Sequence, residues 1–151
     1  MLLARSRRSG SWHRDFLAPR GLDPDVDSVP EPSPTCVAYT GFLESAATTR
    51  SFEVGLAAVL PCFRVYAEVG RHVLARRPSG EHPYAAWIDT YAAPEFDAAV
   101  RRAEAYLDQV AAAGGASSDL VELESAYRRA TRFEWMFWDA AWRHETWPTP
   151  P

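Results

Sequence analysis

Six side chains, Gly55, Val59, Cys62, Tyr66, Val69 and Val73, follow one another in steps of four, three, four, three and four. That rhythm keeps them on one face of an α-helix and would scatter them over both faces of a strand. It returns at Leu123, Tyr127, Ala130, Glu134, Phe137 and Ala141. No segment alternates as a half-buried strand does, and no internal repeat is visible. The chain is therefore expected to be all-α, a helical bundle that buries such stripes against one another.

Local signals divide the chain. Residues 1–12 carry no pattern and are expected to be poorly structured, and 12–17 could end a helix. Pro24, Pro30, Pro32 and Pro34 make 21–35 a loop. A helix is expected from about Thr35 to Ala47, and Ser51 can cap the next, which runs to about Arg76 and stops before Pro78. Pro61 lies inside that second helix, where it deletes one backbone hydrogen bond and should kink the rod. Pro83 opens a short helix carrying Tyr84, Trp87, Ile88 and Tyr91. Pro94 suits the first turn of another, closed by Gly114 and Gly115. Asp119 with Glu122 has the spacing of a capping box at the start of the last helix. Pro148, Pro150 and Pro151 end the chain as a tail.

Composition narrows the function classes. At 151 residues, 47% hydrophobic and 13% aromatic, the chain is one domain with enough apolar material for a core. A net charge of −4 supplies no basic field, so no nucleic-acid partner is expected. The longest apolar run, 54–60, falls short of the roughly 18 residues a membrane span needs, so no membrane partner is expected either. All sixteen basic side chains are arginine, which excludes Schiff-base chemistry through a lysine. Cys36 and Cys62 are too few for a disulfide framework. Residues 1–9 are basic and contain serine, but their apolar part is too short and unpatterned for a transit peptide. A reducing cytoplasm is the expected location. His13, His72, His82 and His144 are not paired at ligand spacing with each other or with a cysteine, so no metal is expected.

Two side chains stand out chemically. Cys62 follows Pro61 and shares a helical face with Tyr66, four residues on. A buried free cysteine is often no more than a small hydrophobe. A kinked, inward-facing thiol beside a phenol also suits a nucleophile, provided something lowers its pKa from about 8.5. Such a thiol should alkylate faster than Cys36. His72 is ten residues away, so a local Cys–His pair is not supported. Glu134 stands among Phe133, Trp135, Phe137 and Trp138, on the inward stripe. A carboxyl in such surroundings suits proton transfer near neutrality. Asp139 and Glu145 read as exposed, and the arginine clusters 71, 76, 77 and 128, 129, 132 as solvated helix faces. Trp135, Phe137, Trp138, Trp142 and Trp147 read mostly as core or subunit interface.

Leu60-Pro61-Cys62 with Tyr66, Glu68 and Gly70, then Tyr84, Trp87-Ile88, Tyr91 and Phe96, then Glu134, Phe137-Trp138 and Trp147 form an ordered set. In this set, extended back through Tyr39 to 13–16, the chain resembles the thiaminase II (TenA) family of haem-oxygenase-like helical bundles. The resemblance covers 13–147, leaves 1–12 unrelated to the family, and corresponds to the C-terminal portion of the family domain, so the fold is expected to be N-terminally incomplete. The family's helices ahead of this portion carry an aspartate that anchors the pyrimidine, and no residue here matches it. The resemblance implies an aminopyrimidine hydrolase acting in thiamin salvage on thiamin or 4-amino-5-aminomethyl-2-methylpyrimidine. It implies Cys62 as nucleophile, Glu134 as acid/base, and Tyr39, Tyr66 and Tyr91 as substrate-binding residues. It implies no cofactor and a homo-oligomer. The alternative is a catalytically inactive binding or regulatory protein, given the absent aspartate. A cofactorless branch oxidising a quinone precursor would be expected to use pocket histidines and arginines in place of Cys62.

Overall fold

The computed structural model describes residues 31–113 and 117–148. Backbone contacts divide the chain into two units, 1–32 and Ser33–Pro151. The first lies, but for its last two residues, outside the described residues. So do the expectations for 1–12 and 12–17, the glycine pair after the fourth helix, the Asp119 side chain and the last three residues.

Every described element is an α-helix: α1 Pro34–Thr49, α2 Phe52–Leu74, α3 Ala85–Tyr91, α4 Pro94–Ala112 and α5 Ser117–Trp142. Their starts have local causes. The Ser33 side chain accepts from the Cys36 N–H, with Pro34 in the first turn where its missing N–H costs nothing. The Ser51 hydroxyl accepts from Val54 N–H at 3.3 Å, and Pro94 opens α4. Only Arg50 and Ser51 separate α1 from α2, which forces the two helices into a tight hairpin. The last helix begins at Ser117, two residues ahead of the expected start, and Glu122 reaches Arg50 at 3.3 Å.

α2 is the axis of the fold and packs against all four other helices. At 23 residues it spans roughly 35 Å. The helix continues unbroken through Pro61, which lies inside it and is buried. Close approach depends on small side chains. Ala57, Ala58 and Ala126 join Ala46 and Val54 in one buried cluster, with Phe42, Leu43, Leu107 and Leu123 packed around it. Leu60, Ala67 and Val100 form a second cluster with Phe96 and Ala103.

The expected stripes need correction. On α2 the stripe through Cys62 and Tyr66 is half-buried, while Val54, Ala57, Ala58, Leu60, Pro61, Ala67 and Gly70 are buried. A helix covered on several sides has no single inward face, so a one-face stripe marks only part of its buried surface. On α5, Ala126, Ala130, Glu134 and Ala140 are buried, whereas Tyr127 and Ala141 on the expected stripe are exposed.

Candidate active site

Four helices bring the five sequence-selected residues together. Tyr39 comes from α1, Cys62 and Tyr66 from α2, Tyr91 from the last position of α3, and Glu134 from α5. The Tyr39 hydroxyl donates to Glu134 Oε1 at 2.6 Å in a buried setting. Glu134 is 2% exposed. Its Oε2 has no partner of normal hydrogen-bond geometry among the described residues. A buried, unpaired carboxylate oxygen is costly, and a site that takes a ligand donor is one place where it persists.

Cys62 faces this carboxyl. Its thiol is pushed up to about 12, first by burial and then by the charge and hydrogen bonding of Glu134. The expectation of a readily formed thiolate is therefore overturned. The neighbouring groups are phenols and a carboxylate, and none supplies positive charge. His72 is exposed near the far end of α2 beside Arg76. Tyr66 is pushed up to about 12 by burial, then by Cys62, Tyr91 and Glu134. Burial and then Cys62 also raise Tyr91. Tyr39 lies well above the ordinary phenol range, by burial and then by its bond to Glu134. The phenols thus remain donors, suited to orienting a ligand rather than accepting its proton.

Aromatic rings pack around the phenols that neighbour the thiol. Tyr66 packs on Tyr91 with ring centroids 4.9 Å apart and on Trp138 at 5.4 Å. Trp87 packs on Tyr91 at 4.8 Å. Phe96 meets Tyr91 edge-on at 5.2 Å, and Phe133 stacks on Tyr39 at 5.2 Å. The family resemblance included Trp87, Phe96 and Trp138 but gave them no role in the site. A signal was present, because Trp138 stands four residues after Glu134 and Trp87 four before Tyr91, one helical turn in each case. Gly70 has a role of its own. A Cβ there would lie 2.7 Å from the Tyr91 carbonyl carbon and 2.9 Å from the Ala92 nitrogen. Only glycine lets α2 approach the end of α3 this closely, and so seats Tyr91 beside Tyr66.

The reading of Glu145 as exposed also needs correction. Its two carboxylate oxygens accept from Thr35 N–H at 2.9 Å and from Thr35 Oγ1 at 3.0 Å. These bonds cap α1 from beyond the end of α5. Among the arginines, Arg77 bonds Asp89 on α3 at 2.8 Å and is not simply a solvated face. Two open surface concavities, of about 300 and 520 Å³, lie around Arg50 and Arg129 and around Arg77 and His82. Neither includes any of the five residues. Among the described residues no group of His, Cys, Asp and Glu could hold a metal ion, and no helix is long and apolar enough to cross a membrane.

Fold and site together define a haem-oxygenase-like helical bundle with a cysteine, a carboxylate and phenols at its centre. More particularly, the chain belongs to the TENA/THI-4/PQQC family, whose model matches residues 5–144. It is 38% identical over 132 residues to the thiamine biosynthesis multifunctional protein ThiED of Corynebacterium glutamicum, covering 87% of this chain and 16% of that one. It is 32% identical over 136 residues to the aminopyrimidine aminohydrolase of Halalkalibacterium halodurans, covering 89% of this chain and 60% of that enzyme. Among solved structures, a TenA homologue from P. horikoshii OT3 superposes with a TM-score of 0.75 at 27% identity, covering 89% of this chain and 62% of that one. The chain thus spans about three fifths of the aminohydrolase and about a sixth of the multifunctional protein.

Proposed function

We propose that the protein hydrolyses an aminopyrimidine, displacing an amine from 4-amino-5-aminomethyl-2-methylpyrimidine or the thiazole from thiamin, and so returns a pyrimidine to thiamin salvage. Cys62 Sγ attacks the ring as its proton passes to Glu134. Glu134 returns that proton to the departing amine, which leaves a covalent ring–sulfur adduct. Glu134 then takes a proton from the incoming water, whose oxygen bonds to the pyrimidine product, and returns that proton to the departing Sγ, which restores the thiol and the carboxylate. Tyr39, Tyr66 and Tyr91 hold the flat ring between aromatic faces and orient it with their hydroxyls. The observation that carries this reading is the buried Glu134 facing Cys62 with one oxygen held by Tyr39 and the other open. The raised thiol agrees with it, because a neutral thiol needs a base within reach. The naming of two relatives as aminopyrimidine aminohydrolases lends support.

We further place the protein in the cytoplasm, on the ground that Cys36 and Cys62 are both free. We expect it to act as a homo-oligomer, on the ground of the exposed Trp135, Trp142 and Trp147. The decisive experiment measures ammonia release from the aminomethylpyrimidine by the full chain and by Cys62→Ser. Turnover by the parent that disappears in the variant supports the hydrolase. Substrate binding without turnover in the parent supports the rival reading, a binding or regulatory protein.

A further inference from the structure

The geometry points to Glu145 as a positioning residue for the Tyr39–Glu134 hydrogen bond. This inference rests on the reading of Glu134 as the acid/base of the site. Two polar rungs join α1 to α5 and the turn that follows it. In the first, Tyr39 OH donates to Glu134 Oε1. In the second, Thr35 N–H and Oγ1–H donate to the two oxygens of Glu145. Thr35 and Tyr39 are one helical turn apart on α1, on the same buried face, and are 5% and 6% exposed. The second rung therefore holds the helix turn immediately before the phenol.

The turn after α5 aims Glu145 back at α1. His144 N–H bonds Ala141 O at 3.3 Å, and Glu145 N–H bonds Ala140 O at 2.9 Å. This is the paired bonding of a Schellman motif, whose left-handed position normally takes glycine. His144 occupies that position with φ of 53°. The chain thus accepts a strained residue at the point where the strand leaving α5 must reverse. What the reversal supplies is a carboxylate at the N-terminus of α1, where unpaired N–H groups and the helix dipole favour negative charge. Thr35 and Ser33 lower the Glu145 carboxyl from its ordinary value, and Arg143 adds to this. The Tyr39 ring is stacked on Phe133 and its hydroxyl donates to Glu134. Whether it reaches Glu134 depends on where the first turn of α1 sits, and Glu145 sets that.

The test uses the full chain and follows alkylation of Cys62 by iodoacetamide at pH 8, read by peptide mass spectrometry. Cys62 reports on Glu134, whose carboxylate penalises the thiolate. Tyr39→Phe strips Glu134 of its donor, turns its full charge on the sulfur, and should slow alkylation by about threefold or more. In a Glu145→Ala background the same Tyr39→Phe change should have little further effect, because the phenol is already displaced. Glu145→Gln can still accept from the Thr35 N–H with its carbonyl oxygen and meet Oγ1 with its amide. It should restore the Tyr39→Phe effect. If Glu145→Ala fails to fold, Thr35→Val, which deletes one bond of the rung, takes its place. An unchanged Tyr39→Phe effect in the Glu145→Ala background would reduce Glu145 to a staple and overturn the proposal. So would the lack of any Tyr39→Phe effect in the parent. Persistent turnover in Cys62→Ser would instead overturn the hydrolase reading and leave the positioning result standing.

Discussion

Cys62 keeps its proton because burial and the Glu134 carboxylate both penalise a thiolate. Removing the carboxylate charge should therefore bring the thiol down and raise the thiolate fraction at pH 8. Glu134→Gln is expected to alkylate at Cys62 several-fold faster than the parent, while losing about two to four decades of any hydrolytic rate. Slower alkylation in the variant would show that the two groups do not face each other in solution. His144 offers a second residue-scale test. A left-handed L-residue costs roughly 1–2 kcal/mol, and glycine adds back about 0.5–1 kcal/mol of chain entropy. His144→Gly should thus raise stability by up to about 1.5 kcal/mol. A lower melting temperature would mean the imidazole contributes more than the strain removes. At this scale the five residues singled out in the sequence and its family resemblance do lie near one another, while Trp87, Phe96 and Trp138, which pack on Tyr66 and Tyr91, had been given no role there. Sequence reading missed the direction of the thiol shift, because that depends on which charge faces the sulfur across helices 72 residues apart in the chain.

Helices here are set by caps and by close approach. Ser33, Pro34, Ser51 and Pro94 are local signals, and the helices begin where those signals stand. The approach of α2 to α3 has a subtler cause. Gly70→Ala would drive a methyl into the backbone of Tyr91 and Ala92, where no side-chain rotation can relieve it. A loss of about 1–3 kcal/mol is expected, with Tyr91 displaced from Tyr66 and weaker protection of Cys62 by an aminopyrimidine. Unchanged stability with full protection would show that α3 shifts freely. The cap on α1 is pH-sensitive. The Glu145 carboxyl is lowered in the folded state, so its stabilisation is complete above the ordinary glutamate value of about 4.3. That stabilisation is lost as pH falls through the lowered folded value. The gap in melting temperature between the parent and Glu145→Gln should therefore be largest near pH 6 and close on acidification. A gap that holds constant down to pH 3 would mean the charge of Glu145 contributes nothing. Glu145 was illegible in the sequence because its partner, Thr35, is 110 positions away.

Among the described residues, several large apolar side chains stay outside. Trp142 is 85% exposed, Phe52 69% and Trp135 68%. Patches of this kind drive association when they are contiguous. Light scattering on the eluting protein is expected to give a mass above that of one chain, with hydrophobic-dye binding wherever monomer persists. A monodisperse monomer that binds no dye would show that these side chains are too scattered to act as a surface.

Step spacing alone established that the chain is helical, because a period of three and four residues is a property of the backbone screw and needs no partner. Ser51 and Pro94 likewise marked the starts of α2 and α4, since capping acts within one turn. Which side of each helix is buried was decided only by tertiary packing. A helix surrounded by four others hides Val54, Ala57, Leu60 and Ala67 as well as one stripe. The same packing joined Tyr39 to Glu134, set Glu134 against Cys62 and folded Glu145 back on Thr35. Hydrogen bonds and charge interactions act over a few ångströms in space, and nothing in the spacing of a single helix specifies which distant residue will fill that space.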